Sequence, residues 1–186
     1  MSGIITDNVG RSSGLVKAVE AAGGGVLQVK TTNKTDVQTI ASDSFTAISS
    51  FVVSVTPSSA SNKILLLGTV AFGGASNLYG MGSIYRQIDG GGYSQLTTAI
   101  GDEDSLAQRC TIPMQTPAGT NWKVFSCSFN FLDAPSTTTQ VDYTIYCRSQ
   151  GSISLRINEE DEATDGDHDA RPISTITAIE LDSGIL

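Results

Sequence analysis

Beyond residue 25 the chain alternates apolar and polar positions with a period of two. Successive side chains of a strand point to opposite faces, so this period predicts half-buried β-strands. The clearest run is Asn121–Leu132. Phe125, Cys127, Phe129 and Phe131 share its core face, with Lys123 at the mouth, and Trp122, Val124, Ser126, Ser128 and Asn130 share the other. Phe51, Val53 and Val55 mark one face of Ser50–Val55. Tyr143, Ile145 and Cys147 do the same in Asp142–Arg148, and Ile153, Leu155 and Ile157 in Ser152–Asn158. Val26–Thr32, Lys63–Phe72, Tyr79–Ile88, Ser94–Ile100 and Ser174–Leu181 complete the predicted strands. Turn chemistry separates them: Pro57 opens a Ser-rich stretch to Asn62, and Asp89-Gly90-Gly91-Gly92 reads as a hairpin tip. No helix of ordinary length fits within 26–186. Short strands at regular spacing predict an all-β fold, a jelly-roll-like antiparallel β-sandwich whose last strand lies centrally, near the first.

Residues 1–25 break this pattern and form an expected short, extended N-terminal arm ahead of the sandwich at 26–186. Asp7–Gly14 is turn-like, Leu15–Ala22 has room for two helical turns at most, and Gly23-Gly24-Gly25 is a flexible joint. The aliphatic residues are too few to bury one another, so they need a partner surface. The arm is either a disordered tail or an anchor that orders on binding. In the second case Ile4, Ile5, Arg11, Leu15 and Val16 are the candidate partner-binding residues.

Composition narrows the class. The chain has 186 residues, only 16% of them charged, with 43 Ser and Thr and 19 Gly. That suits one domain poor in helix formers. The net charge of -8 lacks the basic footprint of a nucleic-acid binder. No apolar run reaches the roughly 18 residues of a membrane span. The first residues lack the cationic and apolar regions of a signal peptide. Three cysteines, Cys110, Cys127 and Cys147, exclude a fully paired intramolecular disulfide framework, and their spacing fits no zinc pattern. Cys127 and Cys147 read as small buried hydrophobes. A bridge between them is the alternative if their strands face each other.

Candidate chemistry concentrates in Glu159–Asp169, which holds seven of the 19 carboxylates in 11 residues. Asp165, Asp167 and Asp169 alternate around Gly166 and offer the oxygen ligands that Ca2+ takes, without the ordered spacing of an EF-hand. The other reading is a solvated, like-charged loop that keeps particles apart. Asp102-Glu103-Asp104 carries the same two readings. No other cofactor is expected. His168 has no Ser or Cys partner by motif. Glycoside hydrolysis needs two carboxylates at a fixed separation around a sugar. Here they sit in charged loops with no aromatic platform nearby in sequence, so no catalytic residue is assigned and no enzyme is expected. Trp122 and Tyr146 face away from the predicted core, as partly exposed residues or as subunit-interface anchors. Arg86, Arg148 and Arg156 lie in half-buried strands, either exposed or paired with an acid of a neighbouring subunit.

The opening Ser2-Gly3-Ile4-Ile5-Thr6-Asp7-Asn8-Val9-Gly10-Arg11-Ser12-Ser13-Gly14-Leu15-Val16-Lys17-Ala18 resembles the N-terminus of small structural proteins of tailed phages, cyanophages among them. Val26–Val29, Val52–Leu65, Phe131–Thr138 and Ile173–Leu181 are similar to recurring blocks of the same group, so the resemblance covers nearly the whole chain. The segment Glu159–Asp169 departs from it in being far more acidic. The resemblance implies a virion location and a jelly roll that forms a homotrimer, and it supplies no catalytic residue. It leaves two roles. One is a capsid decoration or cement protein that holds the head shell through its arm against the major capsid protein. The other is a short tail fibre or fibre tip that binds the host surface. A short chain without a shaft-like repeat favours decoration.

Overall fold

Lys63–Gly74, twelve residues long, is the spine of the molecule. In the computed structural model, which describes residues 25–164, 166–167 and 169–185, it is the fourth of eleven strands. They are β1 (Val26–Lys34), β2 (Gln38–Ile40), β3 (Thr46–Val55), β4 (Lys63–Gly74), β5 (Tyr79–Ile88), β6 (Ser94–Gln95), β7 (Ile112–Gln115), β8 (Phe125–Asp133), β9 (Val141–Ser149), β10 (Leu155–Ile157) and β11 (Ser174–Leu181). All pairings are antiparallel. The first sheet runs β1-β11-β4-β8, with β2 and β10 prolonging the lines of β1 and β11. The second runs β3-β9-β5, and β6 and β7 share the outer edge of β5.

Following the chain, the long strands alternate between sheets: β1, then β3 opposite, β4 back, β5 opposite, β8 back, β9 opposite, β11 back. This is a jelly roll, the all-β architecture expected from the alternation. The last strand lies between β1 and β4, where the sequence places it. Every second side chain points inward and meets those of the other sheet. Ile64, Leu66, Val70, Phe72 and Ile176 come from one sheet, and Phe51, Val53, Ile84, Tyr143 and Ile145 from the other. Phe129 is buried, and Phe125, Cys127 and Phe131 pack half-buried against this core, on the face that the period assigns them.

Polar side chains close the two seams of the sandwich. On one side the Thr32 hydroxyl donates to the Val52 carbonyl at 2.7 Å. Beside it the buried Lys34 ammonium donates to the Ser49 carbonyl at 3.1 Å and to Asp36 at 2.9 Å. On the other side Asp133 of β8 receives Arg86 of β5 at 3.0 and 2.8 Å and the Tyr143 hydroxyl of β9 at 2.7 Å.

Three expected strands are shorter than the pattern predicts. Ser152–Asn158 yields only Leu155–Ile157, because a 3-10 turn at Gln150–Ser152 takes its start and leaves Ile153 38% exposed, off the core face. Asn121–Val124 forms no strand, because Lys123 N–H closes a turn on the Thr120 carbonyl at 3.0 Å. After Gln95 the chain tightens into a single 3-10 turn, Thr97–Ala99, in place of a continuing strand. β2 and β7 escape the period-two pattern. β2 is three residues long, and β7 contains Pro113, which an edge strand tolerates because no neighbour needs its missing N–H. The bridge considered between Cys127 and Cys147 does not form. The two lie in different sheets and are free thiols. Cys147 Sγ sits 3.7 Å from Met114 Sδ in the core, where burial pushes its thiol far up.

One interruption shapes the surface. β10 and β11 lie end to end along the same side of β4, and residues 158–173 leave the sheet between them. The gap is stitched. Asn158 N–H donates to the Ala71 carbonyl at 2.9 Å, and Ala71 N–H donates to Ser174 Oγ at 2.9 Å. The Asn158 amide donates to the Lys34 and Asp36 carbonyls at 2.8 and 3.0 Å. Its φ of 60° lies in the left-handed region, which Asn adopts more readily than most residues.

Candidate interaction surfaces

The acidic excursion is anchored at its root and neutralised over its first residues. Arg156 of β10 donates to Glu159 and to Asp161, each at 3.1 Å, and Arg171 donates to Glu159 at 2.5 Å. Glu159 and Glu160 are buried. The backbone also presses against β4: a Cβ added at Gly73 would stand 2.4 Å from the Glu159 carbonyl oxygen. The like-charged solvated loop is therefore only part of the picture, since two arginines are folded into it.

Of the three aspartates expected around a cation, Asp167 is exposed and Asp165 lies outside the described residues, as does His168. Asp169 turns its Oδ2 inward, where it accepts Thr164 N–H at 2.7 Å and Gly166 N–H at 2.9 Å. That oxygen closes a local turn. Among the described residues, no group of three or more His, Cys, Asp or Glu is placed to hold a metal ion. Asp102-Glu103-Asp104 lies in an exposed loop, where Asp102 accepts Glu103 N–H at 2.9 Å.

Trp122 stands next to the excursion and is 58% exposed. Its neighbour Asn121 holds the acidic backbone: the Asn121 carbonyl accepts Asp161 N–H at 2.9 Å, and the Asn121 amide donates to Glu162 at 2.9 Å. Tyr146 lies elsewhere, on the outward face of the second sheet, stacked on Tyr85 with ring centroids 3.9 Å apart. Tyr93 lies 6.0 Å from Tyr146, and Phe45 lies 6.1 Å from Tyr85. Partial burial raises the Tyr85 and Tyr93 phenols above their ordinary value. Gln95, Gln87 and Asp142 flank the rings.

Four aromatics from separate parts of the chain thus make one half-buried patch. Spacing alone does not bring Phe45, Tyr85, Tyr93 and Tyr146 together. The available signal is that Tyr85 and Tyr146 each fall on the polar parity of their strands, beside Gln87 and Thr144. The three strand arginines find partners within the chain. Arg86 pairs with Asp133, Arg148 with Asp43 at 3.6 Å, and Arg156 with Glu159 and Asp161.

The arm residues Ile4, Ile5, Arg11, Leu15 and Val16 lie outside the described residues. Their point of attachment is described. Gly25 precedes β1, the edge strand of its sheet, and the Gly25 carbonyl accepts Asp182 N–H at 3.1 Å. Among the described residues, no helix is long and apolar enough to cross a membrane.

No family model matches the chain, and no curated protein does. Solved structures are similar in fold. Eiger TNF from S. frugiperda aligns with a TM-score of 0.46 at 10% identity, over 83% of this chain and 92% of the other. The Gx strain structure of infectious bursal disease virus aligns with a TM-score of 0.42 at 15% identity, over 84% of this chain and 37% of that one. The Gt strain structure of the same virus gives 0.43 and 14%, over 84% and 38%. The chain therefore spans little more than a third of the viral chains that it matches.

Proposed function

We propose that this chain is a phage virion structural protein, a homotrimer that decorates the capsid and cements its shell through segment 1–25. The structural observation that carries the reading is the point where that segment joins the body. It enters at Gly25, at the rim of the sandwich on edge strand β1. An anchor leaving from an edge reaches a partner without disturbing the core. The sequence blocks shared with small phage structural proteins support the virion setting and the trimer. The partner is the major capsid protein. A copy that binds only assembled shell shifts the assembly equilibrium toward the closed particle. Three arms on one trimer turn a weak contact into a firm one through avidity. The role needs no catalytic residue and no cofactor. Ca2+ at Asp165, Asp167 and Asp169 is the one ion the reading admits, beside an Asp169 Oδ2 that already accepts from Thr164 and Gly166. Trp122 remains a candidate subunit anchor, while one face of the Tyr146 ring is already taken by Tyr85.

The test is copy number in purified virions, by quantitative mass spectrometry against the major capsid protein. About one copy per capsid subunit supports decoration, with heads that become heat-fragile when the protein is absent. A few copies per hundred overturn it. That second result favours a tail-fibre or fibre-tip protein binding the host surface, and the Phe45–Tyr85–Tyr146–Tyr93 patch would be its contact. Loss of the protein would then abolish adsorption and leave heads sound.

A further inference from the structure

Three successive rows on the outward face of the first sheet are uncharged across four strands, between Lys63 at one end of β4 and Arg156 opposite Gly73 at the other. Register sets Val29, Ile179, Leu65 and Leu132 in one row across β1, β11, β4 and β8. The next row is Thr31, Thr177, Leu67 and Asn130, and the one after it Asn33, Thr175, Thr69 and Ser128. Opposed residues of antiparallel strands project to the same side. The contacts agree: Thr31 and Thr177 hydroxyls meet at 3.0 Å, and Thr69 and Ser128 hydroxyls at 3.2 Å. Val29 is 54% exposed, Leu132 43% and Leu67 39%. A shallow depression of about 370 Å³ opens beside Leu67 and Thr177. The chain carries 11 basic and 19 acidic residues, yet these three rows hold none. On the same parity the nearest charge is Lys63, at the end of β4 beside Leu181.

We propose that this face packs against a second copy of the chain and forms the subunit interface of the oligomer. The inference rests on the self-assembly proposed above and names the surface that performs it. Two copies of net charge -8 repel, and they meet at least cost where neither presents a charge. The aliphatic row supplies apolar burial, and the hydroxyl and amide rows supply the hydrogen bonds that specific interfaces carry. Segment 1–24 is the other candidate to cover this face. It carries Asp7, Arg11, Lys17 and Glu20, four charges for which the face has no partner.

The experiment uses the full chain, with mass measured by light scattering after gel filtration. The wild type is expected at a multiple of the chain mass. Leu67→Glu and Leu132→Glu, both at exposed positions, are expected at one chain mass with an unchanged circular dichroism spectrum. Thr138→Glu, in an exposed loop, keeps the oligomer. A monomeric wild type overturns self-assembly and this interface with it. An oligomer that survives both leucine variants leaves self-assembly standing and overturns the interface. Deleting 1–24 separates the other occupant: an oligomer that survives the deletion but not Leu67→Glu supports the face, and the reverse overturns it. Should a variant misfold, hydroxyl-radical labelling of the wild type decides. Leu67 and Leu132 are expected to label more slowly in the oligomer than after dilution, and equal labelling overturns the proposal.

Discussion

Ser174 Oγ donates to Asn158 Oδ1 at 2.7 Å, across sixteen residues of chain, in a fully buried contact. This bond joins the end of β10 to the start of β11, so that the sheet continues past its own interruption. Asn158 also satisfies the Lys34 and Asp36 carbonyls. Asn158→Ala removes three side-chain hydrogen bonds and strands buried acceptors, at a cost of about 2–4 kcal/mol. Urea unfolding of the variant checks it, and a loss under about 0.5 kcal/mol would contradict this account.

Glu180 is fully buried in β11. Burial alone would raise its carboxyl. Donation from Gln28, Asn62 and both the backbone and hydroxyl of Ser58 outweighs burial and holds the group below its ordinary value. A carboxyl depressed in the folded state adds stability that is complete above the unfolded value of about 4.3 and is lost as pH falls through the folded one. Glu180→Gln is therefore expected to flatten the fall in melting temperature below about pH 5. Identical acid profiles for variant and wild type would refute the assignment.

Asp133 is buried at the far seam, held by Arg86 and Tyr143. Removing one partner of such a pair leaves an uncompensated carboxylate, so Arg86→Ala is expected to cost about 3 kcal/mol and Tyr143→Phe about 1 kcal/mol. Burial first, and then the charge of Asp133, drive the Tyr143 phenol strongly upward. A phenol raised in this way contributes stability below the unfolded value of about 10 that is lost as pH climbs past it. In an alkaline absorbance titration Tyr143 should ionise only together with unfolding. Ionisation of every tyrosine before the circular dichroism changes would contradict it.

Gly73→Ala tests how the acidic excursion is seated. Its Cβ would meet the Glu159 carbonyl oxygen at 2.4 Å and the Glu160 Cα at 2.8 Å, both backbone atoms of the same buried turn. The variant is expected to fold with a melting temperature several degrees lower and to be cut faster by protease within 158–173. Unchanged proteolysis would mean that the turn yields freely.

Chelation addresses the aspartates. Asp169 is already committed to Thr164 and Gly166. The melting temperature is expected to be the same in EDTA and in millimolar Ca2+. A rise with Ca2+ that Asp167→Asn removes would establish a cation site.

The sandwich was legible because β8 and β9 alternate cleanly and need no help from distant residues. β7 was not, because Pro113 reads as a break until an edge position is known to excuse it. Nor was the aromatic patch, since Tyr85 and Tyr146 meet only through the register of β5 with β9. The uncharged face was hidden for the same reason: Val29, Leu65, Leu132 and Ile179 are ordinary single apolar residues until four strands align them. Arg156 and Arg171 show a further limit. A count of carboxylates in Glu159–Asp169 says nothing of cations that flank the segment and fold into it.

The stitched gap between β10 and β11 also bears on how such a chain diversifies. The ladder is complete on both sides of the stitch, and the described residues of the excursion contribute no strand to either sheet. Residues there are free to lengthen, shorten or change charge while the frame stays constant. Tolerance begins beyond the buried Glu159 and Glu160, which the frame holds in place. A foreign peptide grafted at the tip, between Asp161 and Arg171, would be displayed without cost to the barrel-like body that carries it.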